Sequence, residues 1–253
     1  MVIMVDDFLP KYSLDVSDDL ASQHLSMTVA DFPNFGTTFT VYMRAKFREN
    51  PSPGVEAMFT CWNATQGERR FYIRRNGNDR IRFQTAKGGI CSGMICSFYQ
   101  ENWIASTTTI TDSDWHSFLF QCDGNNSTAA DRLKMWIDGT LETPAASSFT
   151  WQGNRWNATT GGLVPGPMMI GGAQDQAWWG DMEIYSFAFA GGLHDLDVFE
   201  NADGTLKDIR DNNDIDSYLW LGAGDPTEDF KIGTAWTNNN GCTVNEEIKD
   251  DAI

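Results

Sequence analysis

The sequence predicts an all-β protein, a two-sheet antiparallel β-sandwich with one short helix. Two observations carry this. Long runs alternate with the period of a strand: in Thr37–Phe47, Phe39, Val41, Met43, Ala45 and Phe47 share one face and Thr40, Tyr42, Arg44 and Lys46 the other. Turn residues punctuate the runs, as at Asn76-Gly77-Asn78 and Asp138-Gly139, and no heptad or internal repeat is visible. At 253 residues the chain suits one sandwich and can bury a core without staples. Its ten Trp and 13% aromatic content fit sandwich packing or a stacking surface.

Taken in order, residues 1–12 read as an arm, with Pro10 breaking regular structure. Tyr12–Val16 and Met27–Ala30 are short strands, and Pro33–Gly36 is a turn before the long strand. A Pro-rich loop leads to Ala57–Trp62. Arg69–Ile73 and Arg80–Gln84 flank a hairpin turn. Arg69, Arg70, Arg74, Arg75 and Arg80 cluster there, with Arg82 just beyond. They read either as outward strand positions paired with acids or as a docking patch for an acidic neighbour, another copy or an anionic glycan. Residues 86–106 fit either a long loop or a bent strand pair. Trp115–Gln121 and Arg132–Ile137 form a second hairpin, closed by the tight Asp138-Gly139 turn.

Ser147–Arg155 is a strand, and Ala158–Gly166 a Gly/Thr-rich loop. Met168–Ile170 is a short apolar strand stopped by Gly171-Gly172. After Trp178-Trp179-Gly180, a long strand alternates, with Asp181, Glu183, Tyr185, Phe187 and Phe189 on one face and Met182, Ile184, Ser186 and Ala188 on the other. Leu193–Leu196 begins the short helix. Asp216–Leu221 is the last long strand, expected to pair with the N-terminal strands. Three regions result: the arm 1–12, a domain over 13–221, and a C-terminal extension 222–253 packing on that domain.

The formal net charge of −17 argues against nucleic acid, which needs basic patches, and against anionic membrane surfaces. No apolar run approaches the ~18–20 residues of a membrane span. Met1–Val5 is apolar, but Asp6 and Asp7 follow and no Lys or Arg precedes, so no secretory signal is read. The five Cys (Cys61, Cys91, Cys96, Cys122, Cys242) lack metal-type spacing. They read as free thiols made in a reducing cytosol, with a local Cys91–Cys96 disulfide as the alternative.

Two blocks carry a resemblance. One is Trp115-His-Ser-Phe followed by Arg132-Leu-Lys-Met-Trp-Ile-Asp-Gly139; the other is Met168–Glu200, with Ile170-Gly-Gly, an aromatic-Gly and a long strand. In this order they resemble the laminin G-like, concanavalin A-like jelly-roll family, over about residues 12–245. The tail, Tyr218–Phe230 and Asn238–Val244, resembles that of jelly-roll virion proteins of tailed bacteriophages. The resemblance implies a non-enzymatic virion structural protein, a capsid decoration or fibre component. It would be made in the host cytoplasm and displayed on the virion surface. Its partners would be other virion proteins, copies of itself, or a host-surface glycan. The alternatives are a free carbohydrate-binding lectin, perhaps holding Ca²⁺, and, lower in rank, a glycoside hydrolase.

For sugar binding the candidates are Trp151, Trp156, Gln174, Trp178 and Trp179, because indole faces stack on pyranose rings and amides bond hydroxyls. Family members often hold Ca²⁺ at the sandwich rim, which makes Asp123, Asp131, Asp175 and Asp181 candidates here. Catalysis by paired carboxylates would fall to Asp181 and Glu183, but the third acid of the family's glucanase run is missing at Tyr185 and Phe187. His24, His116 and His194 lack a nucleophile motif.

Overall fold

A computed structural model describes residues 13–16, 23–27, 38–48, 55–61, 70–92, 95–150, 168–172, 180–219, 236–239 and 242–245; at 61, 70, 86–92, 95–100, 218, 244 and 245 only the backbone is described. Among these residues the strands are β1 (Ser13–Val16), β2 (His24–Met27), β3 (Thr38–Phe47), β4 (Glu56–Cys61), β5 (Arg70–Arg75), β6 (Arg80–Ser92), β7 (Ile95–Thr109) and β8 (His116–Asp123). They continue with β9 (Leu133–Ile137), β10 (Thr140–Leu141), β11 (Ala146–Phe149), β12 (Met168–Ile170), β13 (Met182–Gly191), β14 (Ser217–Leu219), β15 (Thr237–Asn239) and β16 (Thr243–Asn245). One antiparallel sheet, sheet A, runs β10-β9-β8-β3-β13-β1-β16, with β14 also on β13. Sheet B runs β11-β7-β6-β5-β4-β12-β2-β15. The arrangement is the expected all-β, two-sheet sandwich.

The inner faces meet in a core whose aromatic centre spans both sheets. Phe39 and Phe189 stack at 5.7 Å, and Phe39 meets Phe71 edge-on at 5.3 Å. Phe83 and Phe120 join from opposite sheets at 5.5 Å. Burying each such ring stabilises the fold by about 1.5–3 kcal/mol. The alternation read along Thr37–Phe47 holds throughout β3: its five predicted core residues are buried in this cluster.

β13 departs from the expected alternation. Its register with β3 shifts between Ile184 and Ser186, so Tyr185 is the extra residue of a β-bulge. Before it, Met182 and Ile184 face the core; after it, Phe187 and Phe189 do. Glu183, Tyr185 and Ala188 lie on the outer side. A uniform two-residue period therefore puts Phe187 and Phe189 on the wrong face, and the bulge corrects them.

Other boundaries move for local reasons. The second strand ends at Met27, where the sequence suggested a start. Of residues 86–106, those described form a strand pair and not a long loop, since β6 and β7 run antiparallel with Cys91 opposite Cys96. The strand at Ser217–Leu219 pairs with β13, not with the N-terminal strands; β1 pairs with β13 and β16. The expected helix is a single 3₁₀ turn, Leu196–Val198. Gly171 adopts φ +78°, and a Cβ there would lie 2.3 Å from Val16 Cγ1, so the Ile170-Gly-Gly turn requires glycine where the two sheets close together. Among the described residues near the C-terminus, Trp236 and Cys242 lie in the core. Burial pushes the Cys242 thiol up to about 12, which leaves it inert.

A second apolar layer lies outside sheet A. Tyr42, Leu119, Tyr185, Ala188 and Ala190 of its outer face are covered by Phe199, Leu206, Ile209 and Ile215. Phe199 stacks on Tyr42 at 4.8 Å with the rings 4° from parallel. The chain after β13 therefore folds back over the sheet, and this return builds the site.

Candidate functional site

Between sheet A and the returning chain opens a cavity of about 700 Å³. That volume falls within the range of small-ligand sites. Its floor is Arg44 of β3 and Ser117 of β8; one wall is Trp115 with the Asp138-Gly139 turn; the other is Leu196–Lys207. The hairpin turn read from sequence places Asp138 here, because Asp138 (φ 49°) and Gly139 (φ 73°) both take the left-handed conformation that closes a two-residue hairpin.

The base of the cavity is a buried polar triad. Tyr42 donates its hydroxyl to Glu200 Oε1 at 2.6 Å, and Arg44 Nη1 lies 3.6 Å from the same oxygen. Arg44 Nη1 also donates to the Gly204 carbonyl at 2.7 Å, tying the covering loop to the sheet. Glu200 is 5% exposed. Burial pushes its carboxyl above the usual range, with Tyr42 and Arg44 partly opposing. Arg44 Nε is buried without a hydrogen-bond partner.

The aromatic wall is Trp115. Its ring leans against Tyr185 at 5.8 Å, and Lys46 Nζ sits 5.0 Å from its centroid. The adjacent His116 is clamped: Nδ1 is 2.7 Å from Asp138 Oδ2 and Nε2 is 2.7 Å from Asp112 Oδ1. The Asp138 bond, reinforced by Asp112 against the opposing effect of burial, raises the imidazole to about 9. Burial pushes the Asp138 carboxyl up, but the bonds from His116 and the Ser117 amide outweigh it, so Asp138 sits below its usual value. The His116 clamp thus fixes an ionised Asp138 at the rim. In the lining, Asp138, Asp197, Glu200 and Asp203 face Arg44 and Lys207, and the lysine donates to the Asp197 carbonyl.

The residues chosen from sequence fall elsewhere. Trp151, Trp156, Gln174, Asp175, Trp178, Trp179 and Arg69 lie outside the described residues, as do 1–12. Asp181 pairs with Arg48 at 3.0 Å, and Glu183 with Lys46 at 3.3 Å and Ser13 Oγ at 3.0 Å, so this strand pair is committed to ion pairs. Asp123 lies opposite Thr38, and Asp181 precedes Met182, opposite Phe47. These are the two ends of β3, about 30 Å apart at ~3.3 Å per residue. One cation cannot bind both. Asp123 and Asp131 share a small cavity with Lys134, which lies 3.3 Å from Asp131. Among the described residues no group of three or more acids, His or Cys could hold a metal.

The arginine cluster divides. Arg75 is turned inward, 2% exposed: its Nε donates to Glu56 at 2.5 Å, its Nη1 donates to the Ile110 carbonyl at 3.1 Å, and its guanidinium lies over Phe47. It is withdrawn from any docking patch, a correction that follows from its place on the core side of β5. Arg80 donates to the Ser106 carbonyl at 3.3 Å. Arg74 lies on the outer face, as does Arg82. For Arg70 only the backbone is described.

No family model matches this chain, and no curated protein matches it. Solved structures do. The heptameric SAP-like pentraxin of Limulus polyphemus aligns over 95% of this chain and 96% of its own, with a TM-score of 0.55 at 15% identity. At that identity the likeness is one of fold, a two-sheet antiparallel jelly-roll sandwich. Domains LG4-5 of the mouse laminin alpha1 chain align over 73% of this chain and 43% of theirs, at 12% identity and TM-score 0.46. The CBM40 of Ruminococcus gnavus IT-sialidase, bound to alpha2,3 sialyllactose, covers 70% and 91%, at 12% identity and TM-score 0.40.

The cavity itself was not read from sequence. Glu200 and Arg44 are about 160 positions apart, and an isolated Glu after a helical turn carries no local mark of burial. The legible parts were the Asp138-Gly139 turn and the outward placing of Tyr42 and Arg44.

Proposed function

We propose that this chain is a non-enzymatic carbohydrate-binding jelly roll that takes a neutral or amine-bearing sugar ring in the cavity outside sheet A. The supporting observation is the cavity's composition: one indole wall at Trp115 with carboxylates converging from two elements. A sugar stacks its C–H face on an indole and spends its hydroxyls on acids and carbonyls. The carboxylates of the lining outnumber its cations, which disfavours an anionic sugar here. The non-catalytic reading is supported by the commitments of the two acids: Glu200 is engaged by Tyr42 and Arg44, and Asp138 by His116 and Ser117.

Calorimetric titration with a panel of neutral, amino and acidic monosaccharides tests this. Trp115→Ala should abolish binding of the preferred sugar while the fold persists by circular dichroism. Equal binding by the variant, or turnover of a glycoside by the wild type, would overturn the reading.

The setting we infer is the exterior of a bacterial virus particle, supported by the resemblance of the tail and by the acidity of the chain. Docking there would fall to residues 1–12 or 222–253, or to the outward arginines of the β5–β6 hairpin. Quantitative mass spectrometry of density-banded particles should find this chain in fixed copy number; its absence would leave a free lectin.

A further inference from the structure

A clamp joins two walls of the cavity outside sheet A. Trp115 and Asp138 are in the described lining; His116 and Asp112 are not. His116 meets Asp138 through Nδ1 and Asp112 through Nε2, each at 2.7 Å. The imidazole is 13% exposed, whereas both carboxylates are about half exposed.

The two acids are held unequally. Asp138 Oδ1 also accepts from the Ser117 amide at 2.9 Å, and the Asp138 amide donates to the Ser117 carbonyl at 2.9 Å. Asp112 lies in the exposed loop 111–114 between β7 and β8. A bond to it from the Asp114 amide, at 3.2 Å, stays inside that loop. The Asp112–His116 bond thus ties the loop to β8, and it spans Trp115, the indole wall. An imidazolium has two N–H donors and serves both acids; a neutral imidazole has one. On deprotonation one ring nitrogen turns a lone pair toward a carboxylate, and that bond breaks. Asp112 is the acid released, because Asp138 keeps its bonds to Ser117.

We propose that His116 is a positioning residue for the sugar cavity: as an imidazolium it fixes Trp115 against the Asp138 turn, and its deprotonation loosens that wall and weakens the ligand. The proposal rests on the sugar reading of the cavity. The Asp138 bond, with Asp112 adding and burial opposing, puts the imidazole at about 9, so the clamp is closed at neutral pH and opens as pH rises. Other charges face it. Arg44 and Glu200 act on Asp138 across the cavity floor, and Lys46 lies over Trp115. Asp197, Asp203 and Lys207 stand in the rest of the lining. Within the sheet its neighbours are uncharged, Ala45 opposite in register and the Phe118 ring at 6.1 Å.

The test is calorimetric titration of glucose, galactose and mannose, which carry no charge in this range, from pH 7 to 10. The proteins are wild type, His116→Gln and Asp112→Asn. The affinity of whichever sugar binds should fall about fivefold in wild type as the closed state is depleted, with a midpoint near 9. His116→Gln should show a flat profile. Asp112→Asn should move the midpoint down, which assigns the transition to the imidazole and not to Lys46 or Lys207. A flat wild-type profile, or a midpoint unmoved in Asp112→Asn, would overturn the clamp's role and leave the sugar site standing. No binding at any pH would overturn the sugar reading and this proposal with it. Ring-proton NMR without sugar is a separate check: an imidazole titrating at the ordinary value of about 6.5 would overturn the clamp whatever the sugar does. Should His116→Gln unfold, Asp112→Asn carries the comparison.

Discussion

The two outer faces of this sandwich come from the same pleat and end differently. Outside sheet A the outward positions are Tyr42, Leu119, Tyr185, Ala188 and Ala190, and the chain returns across them with Phe199, Leu206, Ile209 and Ile215. Outside sheet B they are Tyr72, Arg74, Arg82, Gln84 and Trp103, tied into a ladder of cation–ring contacts and hydrogen bonds. One face is sealed by burial and leaves a cavity where polar groups interrupt the seal. The other carries polar contacts between its own strands. Burial and polar contact answer differently to substitution, so the comparison can be broken by experiment.

The largest effect should come from Phe199→Ala. It removes the ring stacked on Tyr42 and loosens the cover over sheet A, at a cost of about 3–5 kcal/mol in urea unfolding. The cavity ligand should be lost with it. Comparable in size is Glu56→Ala, which strands the buried Arg75 charge and should cost about 3–5 kcal/mol. A loss under 1 kcal/mol would mean that water reaches Arg75.

Smaller is the His116 clamp. Its folded-state value of about 9 exceeds the ordinary 6.5, so its stabilisation is fully present below pH 6.5 and is lost as pH rises through about 9. Asp112 and Asp138 are half exposed, so solvent screening limits the loss to about 1–2 kcal/mol. Urea titrations at pH 6 and 10 should show that slope in wild type and a flat line in His116→Gln. Smallest is the exposed Asp131–Lys134 pair: Asp131→Asn should shift stability by less than about 0.5 kcal/mol, with or without calcium.

The sheets were legible because period-two patterns and Gly-Asp turns are local signals. The face of Phe187 and Phe189 was not, since a bulge at Tyr185 depends on pairing with β3 and leaves no mark in β13 itself. The partner of Ser217–Leu219 was not, because strand order is set by packing across the sheet. Two of the acids chosen for calcium, Asp123 and Asp181, stand at opposite ends of β3, a separation that only strand pairing fixes. Arg75 looked like its neighbours in sequence; the pleat alone sends it inward, where Glu56 waits on the adjoining strand. The cavity depends on a fold-back that joins Arg44 to Gly204, a contact between distant segments.

The most direct test of the account is calorimetric titration of the preferred neutral or amino sugar into wild type, Trp115→Ala and Arg82→Gln. Loss of binding by at least roughly tenfold, about 1.4 kcal/mol, in Trp115→Ala with full binding in Arg82→Gln is the predicted result. Unchanged binding in Trp115→Ala would contradict it and move the sugar away from the cavity outside sheet A.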